Sequence, residues 1–247
     1  MIIIKHILLI LVLLSVRPLS AQSRADTVAV QSDVRVKDVI LPVTLIGAGS
    51  LGFVEPVRSF RYELRDNLAE WRGDHRLKAD DYLQYLPMAS IYGLSLLGEQ
   101  AENNYLDRTL EFVTSYLALG VMVNGLKYTV REPRPDGSAN NSFPSGHTAT
   151  AFMGAELVRL EYGDESPWYT IGAYGVATCV GVLRVYNNRH WVTDVIAGAG
   201  VGILSARIGN WLLPYTKKAL YRLTGCEAFI YPSISTDGAQ VGVAVTF

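Results

Sequence analysis

Cysteine is nearly absent: it occurs only at positions 179 and 226 of 247 residues. That is too little for the dense cross-linking that holds small secreted scaffolds together. Cys179 falls in an apolar helical stretch, where a buried free thiol is expected. Charge is scarce as well, at 18% of residues, and 22 basic against 23 acidic side chains leave a net charge of -1. No global field therefore draws the chain to nucleic acid or to an anionic surface, so any anion it binds is held by a local cluster. No segment repeats. No uninterrupted apolar run reaches the roughly 18 to 20 residues of an unambiguous membrane span. Two architectures stay open, a soluble helical bundle and a bundle within a bilayer whose polar groups are reserved for a site. The reading leans to membrane association.

What is present is apolar, at 49% of residues, enough for one core. Lys5 and His6, the apolar run Ile7 to Leu14 and the small residues Ser20 and Ala21 have the form of a secretory signal over residues 1–21, and so predict export. A polar linker follows at 22–37. Uncharged stretches then run at Val39–Val54, Tyr82–Gly98, Phe112–Leu126, His147–Ala155, Pro167–Leu183 and Val195–Ala206. Most are too long for strands and lack strict alternation, which predicts an all-α bundle of about six helices over 38–226. Between Glu55 and Asp81 the residues Phe60, Leu64, Leu68 and Trp71 recur at helical spacing among charges, the pattern of an amphipathic helix laid over the bundle or on a membrane surface. Residues 227–247 change character: Val241, Val243, Val245 and Phe247 alternate after Asp237-Gly238, which predicts a short C-terminal β-hairpin.

Gly47-Ala48-Gly49-Ser50-Leu51-Gly52 matches the dinucleotide-binding GxGxxG pattern. That fingerprint requires a helix to open directly after the glycines, because the pyrophosphate sits on its N-terminus. Pro56 would interrupt such a helix, and no second buried strand with a ribose-binding acid follows. Close helix packing explains the glycines better, and the spacing of Gly198 and Gly202 suits the same use.

Three segments concentrate cationic and imidazole side chains: Lys127 to Arg134-Pro135, Pro144-Ser145-Gly146-His147, and Arg184 to His190 and Asp194. Each falls at a predicted helix end, so all three can converge on one end of a bundle. Ser145 is a natural N-cap before the helix through Ala149 and Met153. With Gly146 allowing close approach, that helix start makes an anion site, where His147 is placed to give a proton. His190 and Asp194 are four residues apart on the predicted first turns of a helix, which places both on one face, so that Asp194 can fix the imidazole tautomer and leave Nε2 free. Lys127, Arg134 and Arg184 supply three positive charges with only Glu132 as an obvious nearby acid. Two guanidinium forks and an ammonium match the equatorial oxygens of a transferring phosphoryl group and need no metal.

In order, these segments resemble the motif set K-x6-R-P, P-S-G-H and S-R-x5-H-x3-D of the type 2 phosphatidic acid phosphatase and vanadium haloperoxidase superfamily. The Ser of the third motif is Leu183 here, which removes a secondary hydroxyl contact. The motif core covers 112–213, and the family's helical bundle agrees with the one read from periodicity. The resemblance implies that His190 attacks phosphorus to form a phosphohistidine, with Asp194 orienting it and His147 protonating the leaving alkoxide and then activating water. It implies that Lys127, Arg134, Ser145, Gly146 and Arg184 hold the phosphate. Arg131 and Arg189 are further cations beside the motifs, and His75 receives no role. The implied function is metal-independent hydrolysis of a phosphomonoester or pyrophosphate, of a lipid by preference, with no cofactor and with vanadate as a phosphate-mimic inhibitor. A soluble periplasmic nonspecific acid phosphatase is the main alternative, and a vanadium haloperoxidase or an inactive lipid-binding scaffold stands below it. The expected place is the cell envelope, either inner membrane with a periplasm-facing site or periplasm. The expected partners are a phosphorylated small molecule or lipid and the membrane, with neither nucleic acid nor a protein.

Overall fold

The computed structural model describes residues 35–224 and the backbone of 227–235 and 238–246. The chain divides into residues 1–30 and 31–247. The secretory segment expected at 1–21 and most of the linker at 22–37 lie outside the described residues.

Among the described residues there are eight α-helices: α1 Val36–Ser50, α2 Val57–Arg72, α3 Asp80–Leu83, α4 Leu86–Leu96, α5 Tyr105–Val130, α6 Gly146–Tyr162, α7 Pro167–Tyr186 and α8 Val192–Thr224. A 3-10 turn, Leu51–Phe53, closes α1. Five of the six apolar stretches of the sequence each fall in one helix or, at Val39–Val54, a helix and its closing 3-10 turn, whereas Tyr82–Gly98 is divided between α3 and α4 by a turn at Gln84-Tyr85; most extend past the polar residues that bounded them. Side-chain caps mark several starts. Asn104 accepts from the Asp107 N–H before α5, Ser145 from Thr148 before α6 and Ser166 from Trp168 before α7, each satisfying a backbone donor the helix leaves free. Residues 227–235 and 238–246 pair as two antiparallel strands, Glu227 opposite Thr246 and Ser235 opposite Gly238. The expected turn residue Asp237 lies outside the described residues.

The core is built around α6, which packs against α4, α5, α7 and α8. Its Ala149, Ala151, Met153, Ala155, Leu157 and Val158 are all at most 2% exposed, so this helix is apolar on nearly every side, as a central helix must be. Small residues set the helix spacing. A Cβ on Gly49 would lie 2.6 Å from the Ala197 Cβ, and one on Gly52 2.5 Å from the Thr193 Oγ1. The GxGxxG run is thus used at Gly49 and Gly52 to seat α1 and its 3-10 turn on α8. A Cβ on Gly202 would lie 2.9 Å from the Met153 backbone nitrogen, so α8 meets α6 backbone to backbone.

Three sequence expectations are corrected. Val36–Phe53, Tyr105–Val130 and Val192–Leu223 are long and apolar enough to cross a membrane. Counting unbroken apolar runs underestimated them, because polar residues near their ends are paired within the fold: Lys217 with Asp107 at 2.7 Å, and Arg108 with the Tyr162 hydroxyl at 2.7 Å. Cys179 is exposed, not buried, because Ala173, Ala177 and Val180 form the inward stripe of α7 and place it opposite. On α2 the expected apolar stripe is inverted at its ends. Phe60 and Trp71 are 57% and 76% exposed, while Arg61 and Arg72 are buried. Arg61 pairs with Glu132 at 2.6 Å and lies over the Trp191 ring, and Arg72 donates to the Tyr186 carbonyl. Partners of this kind offset part of the cost of burying the guanidinium groups, although Arg61 Nε and Nη1 remain without a hydrogen-bond partner among the described residues.

Candidate active site

The C-terminal ends of α5 and α7 and the N-terminal ends of α6 and α8 carry Lys127, Arg184, Gly146-His147 and Asp194 respectively. The loop 131–145 lies between α5 and α6, is closed on itself by one bond and is held to this end of the bundle by two. Ser142 N–H donates to the Glu132 carbonyl within the loop, while Ser145 N–H donates to the Asp194 carbonyl and Trp191 Nε1–H to the Pro133 carbonyl, at 2.9 to 3.0 Å. Asn141 then aims two cations, its carbonyl accepting from Lys127 Nζ and its Oδ1 from Arg134 Nε at 2.9 Å.

His190 is 2% exposed and precedes α8 by two residues. It is therefore not on the first turn of the helix, although it still meets Asp194. Asp194 is in that turn, and its Oδ2 reaches back to accept the Trp191 N–H at 3.0 Å, the reciprocal half of a helix cap. The same oxygen accepts from the Ser142 hydroxyl and lies 3.6 Å from His190 Nδ1, while Ser142 Oγ is 3.4 Å from that nitrogen. The orienting group on Nδ1 is thus a carboxylate and hydroxyl together, at ion-pair range from the ring. Burial pushes the His190 imidazole from its ordinary 6.5 down to about 4; Asp194 opposes this and the Lys127 and Arg184 charges add to it. At neutral pH the ring is uncharged and has a lone pair to offer.

His147 is half-buried at the start of α6 and its Nε2 lies 3.1 Å from Asp81 Oδ1. Burial and then Arg184 push its pKa below the ordinary value, while the bond to Asp81 raises it. Arg184 is 6% exposed, bonded to Asp80 Oδ2 at 2.6 Å and 3.5 Å from Asp81. Asn187 Nδ2 donates to the other Asp80 oxygen at 3.1 Å. Burial and the neighbouring Arg184 charge lower the pKa of Arg134, the mark of guanidinium groups gathered around one space. Ser145 is buried, with its hydroxyl used by the Thr148 N–H and Thr148 Oγ1. Gly146 is half-buried at the first helical position.

All eight residues read from the motifs therefore lie at one end of the bundle. Glu132 does not serve as the acid beside the cations, being committed to Arg61. That part belongs to Asp80 and Asp81, which sequence reasoning had left in a surface segment, and Ser142 and Asn187 were missed with them. The only signal for Ser142 was its place two residues before Pro144; Asp80 is 104 residues from Arg184 and carried no signal. A cavity of about 250 Å³ adjoins the site on the side of Arg134 and Arg184, lined also by Arg189, Asp80 and Asp81.

Residues 108–218 match the model of the PAP2 superfamily. The chain is 42% identical over 156 residues to the lipid A 1-phosphatase of Porphyromonas gingivalis, an alignment covering 61% of this chain and 35% of that one. It is 36% identical over 75 residues to the bacitracin transport permease protein BcrC of Bacillus licheniformis, covering 30% and 35%. It thus spans about a third of the length of the curated relatives it matches. Among solved structures it is similar to Aquifex aeolicus LpxE, with 21% identity, TM-score 0.45 and coverage of 58% of this chain and 92% of that one. It is also similar to the PAP2 type phosphatidylglycerolphosphate phosphatase of Bacillus subtilis, with 20% identity, TM-score 0.46 and coverage of 76% and 99%. Lys127, Arg134, Ser145, Gly146, His147, Arg184, His190 and Asp194 all fall inside the matched segment, and the chain carries, over residues 108–218, a domain of the PAP2 superfamily.

Proposed function

We propose that the chain is a membrane-associated phosphatase that hydrolyses a phosphomonoester or pyrophosphate of a lipid, without a metal, through a phosphohistidine on His190. The observation that carries this reading is a buried, uncharged His190 backed on Nδ1 by Asp194 and Ser142, within the field of Lys127 and Arg184. The substrate phosphate is held by Lys127, Arg134, Arg184 and the start of α6. His190 Nε2 attacks phosphorus, and His147 gives its proton to the departing oxygen. His147 then takes a proton from water as that water displaces the imidazole, which releases inorganic phosphate.

A lipid substrate is supported by the apolar face of α5, where Val113, Leu117 and Val121 are 47%, 65% and 74% exposed one turn apart. It is also supported by the three helices long enough to cross a bilayer and by the name of the Porphyromonas relative. These favour a membrane enzyme over a soluble nonspecific acid phosphatase. The signal-like N-terminus supports a site on the outer side of the inner membrane. The test is phosphate release from detergent-dispersed lipid phosphates in EDTA. Wild-type activity that disappears in His190→Ala is the expected result, and full activity in that variant removes His190 as nucleophile.

A further inference from the structure

The loop between α2 and α3 is basic and pinned at its centre. The Leu77 N–H donates to Asn187 Oδ1 at 3.0 Å and the Leu77 carbonyl accepts from Asn187 Nδ2 at 2.7 Å. Asn187 is 5% exposed and bonds Asp80, the carboxylate that holds Arg184. One buried amide therefore fixes this loop to the same point as a phosphate-site arginine. Arg76 and Lys78 flank Leu77 in non-helical chain and are exposed. Both line the cavity together with Arg134, Arg184 and Arg189.

The charges in this cavity are not equivalent. Arg184 is matched by Asp80 and Asp81, and Arg189 by Asp136 at 3.0 Å. Arg76 and Lys78 have no carboxylate at ion-pair distance among the described residues. Nor do they fall in the segment matched to the family, which begins at residue 108. The cavity, at about 250 Å³, has more room than one phosphoryl group fills. Two uncommitted cations on a clamped loop match the charge of one further phosphate dianion.

We propose that Arg76 and Lys78 form a second anion subsite, which takes a second phosphate group of the same substrate while Lys127, Arg134 and Arg184 hold the phosphate to be cleaved. The assignment of the cleaved phosphate rests on the phosphatase reading; the second subsite is a statement about binding. The preferred substrate is thus a bisphosphorylated amphiphile.

The test uses the full chain in detergent micelles. Isothermal titration compares methylphosphonate with a series of alkane diphosphonates from methylene to hexamethylene. At least one spacer binds wild type tenfold or more tightly than methylphosphonate, and Arg76→Ala/Lys78→Ala, both exposed positions, loses that gain. In parallel, the ratio of kcat/KM for a bisphosphorylated over a monophosphorylated amphiphile of the same acyl composition falls at least tenfold in the double variant. A wild type that gains from no spacer, or a variant that loses equally on mono- and diphosphonates, overturns the subsite. So does a variant that loses affinity for anionic-lipid vesicles while the substrate ratio stays intact, since the loop would then serve the bilayer surface. If wild type shows the diphosphonate gain but hydrolyses no ester, the subsite stands and the hydrolytic reading falls.

Discussion

Lowering the pH from 7 to 4 should destabilise this protein through one side chain, and the size of the effect follows from where that side chain sits. His190 is 2% exposed, and burial holds its pKa at about 4 against an ordinary 6.5. Between those values the unfolded chain binds a proton that the folded chain refuses, so stability rises with pH across the window and is lost as pH falls through it. Above 6.5 neither state is protonated and there is no penalty. Below 4 both are, and the folded state carries the full cost of a buried imidazolium, about 3 kcal/mol at 1.36 kcal/mol per tenfold. For a chain of this size that is a fall in Tm of roughly 6 to 12 °C. The assay is thermal unfolding in detergent at half-unit steps from pH 4 to 8, for wild type and for His190→Asn. Other groups titrate in the same range, so the quantity read is the difference between the two curves. It should be flat above pH 6.5 and should turn against wild type below. Parallel curves would refute the burial argument, and with it the claim that His190 is uncharged and available at neutral pH.

Other expectations concern the groups around it. Ser142→Ala removes the hydroxyl shared by Asp194 and His190 Nδ1; kcat should fall by about tenfold, one hydrogen bond of about 1.4 kcal/mol, with KM little changed in steady-state assays. Asp81→Asn takes away the bond and charge that raise the pKa of His147, so the alkaline limb of the kcat–pH profile, where the acid is lost, should move to lower pH. Asp80→Ala leaves Arg184 at 6% exposure without its 2.6 Å partner and should cost about 3 kcal/mol or more in unfolding measurements, softened by Asp81 at 3.5 Å. Gly202→Ala drives a methyl to within 2.9 Å of the Met153 nitrogen and should lower stability by about 1 to 3 kcal/mol in the same assay.

The site's own cations and imidazoles were legible in the sequence because they are polar groups at the ends of apolar helices, grouped in three short segments whose order has meaning. Their partners were not. Asp80 and Arg184 lie 104 residues apart, and nothing in the spacing of a charged segment tells which of its acids folds inward. The same blindness inverted the ends of α2. An amphipathic stripe is read on the assumption that charged residues face water, whereas Arg61 and Arg72 find a carboxylate and a carbonyl inside the protein. The lengths of α1, α5 and α8 were obscured for a related reason. Asp107 and Arg108 break an apolar run as letters, yet in the fold they are paired residues within one continuous helix.

Helix α8 carries this last point into the protein's surroundings. Asp194 stands in its first turn and Pro214 twenty residues later, about 30 Å along the axis at 1.5 Å per residue, which is one hydrocarbon thickness of a typical bilayer. Beyond Pro214 come Lys217, Lys218 and Arg222, suited to water and headgroups. The helix is in effect a ruler with the buried Asp194 carboxylate at its zero mark, and α5 places Lys127 at the matching end of a second one. In a thinner or thicker bilayer such helices tilt or shift to keep their apolar lengths covered. The two sides of the Lys127–Asp194 cluster would then move relative to each other, which makes membrane thickness a variable of the site's geometry.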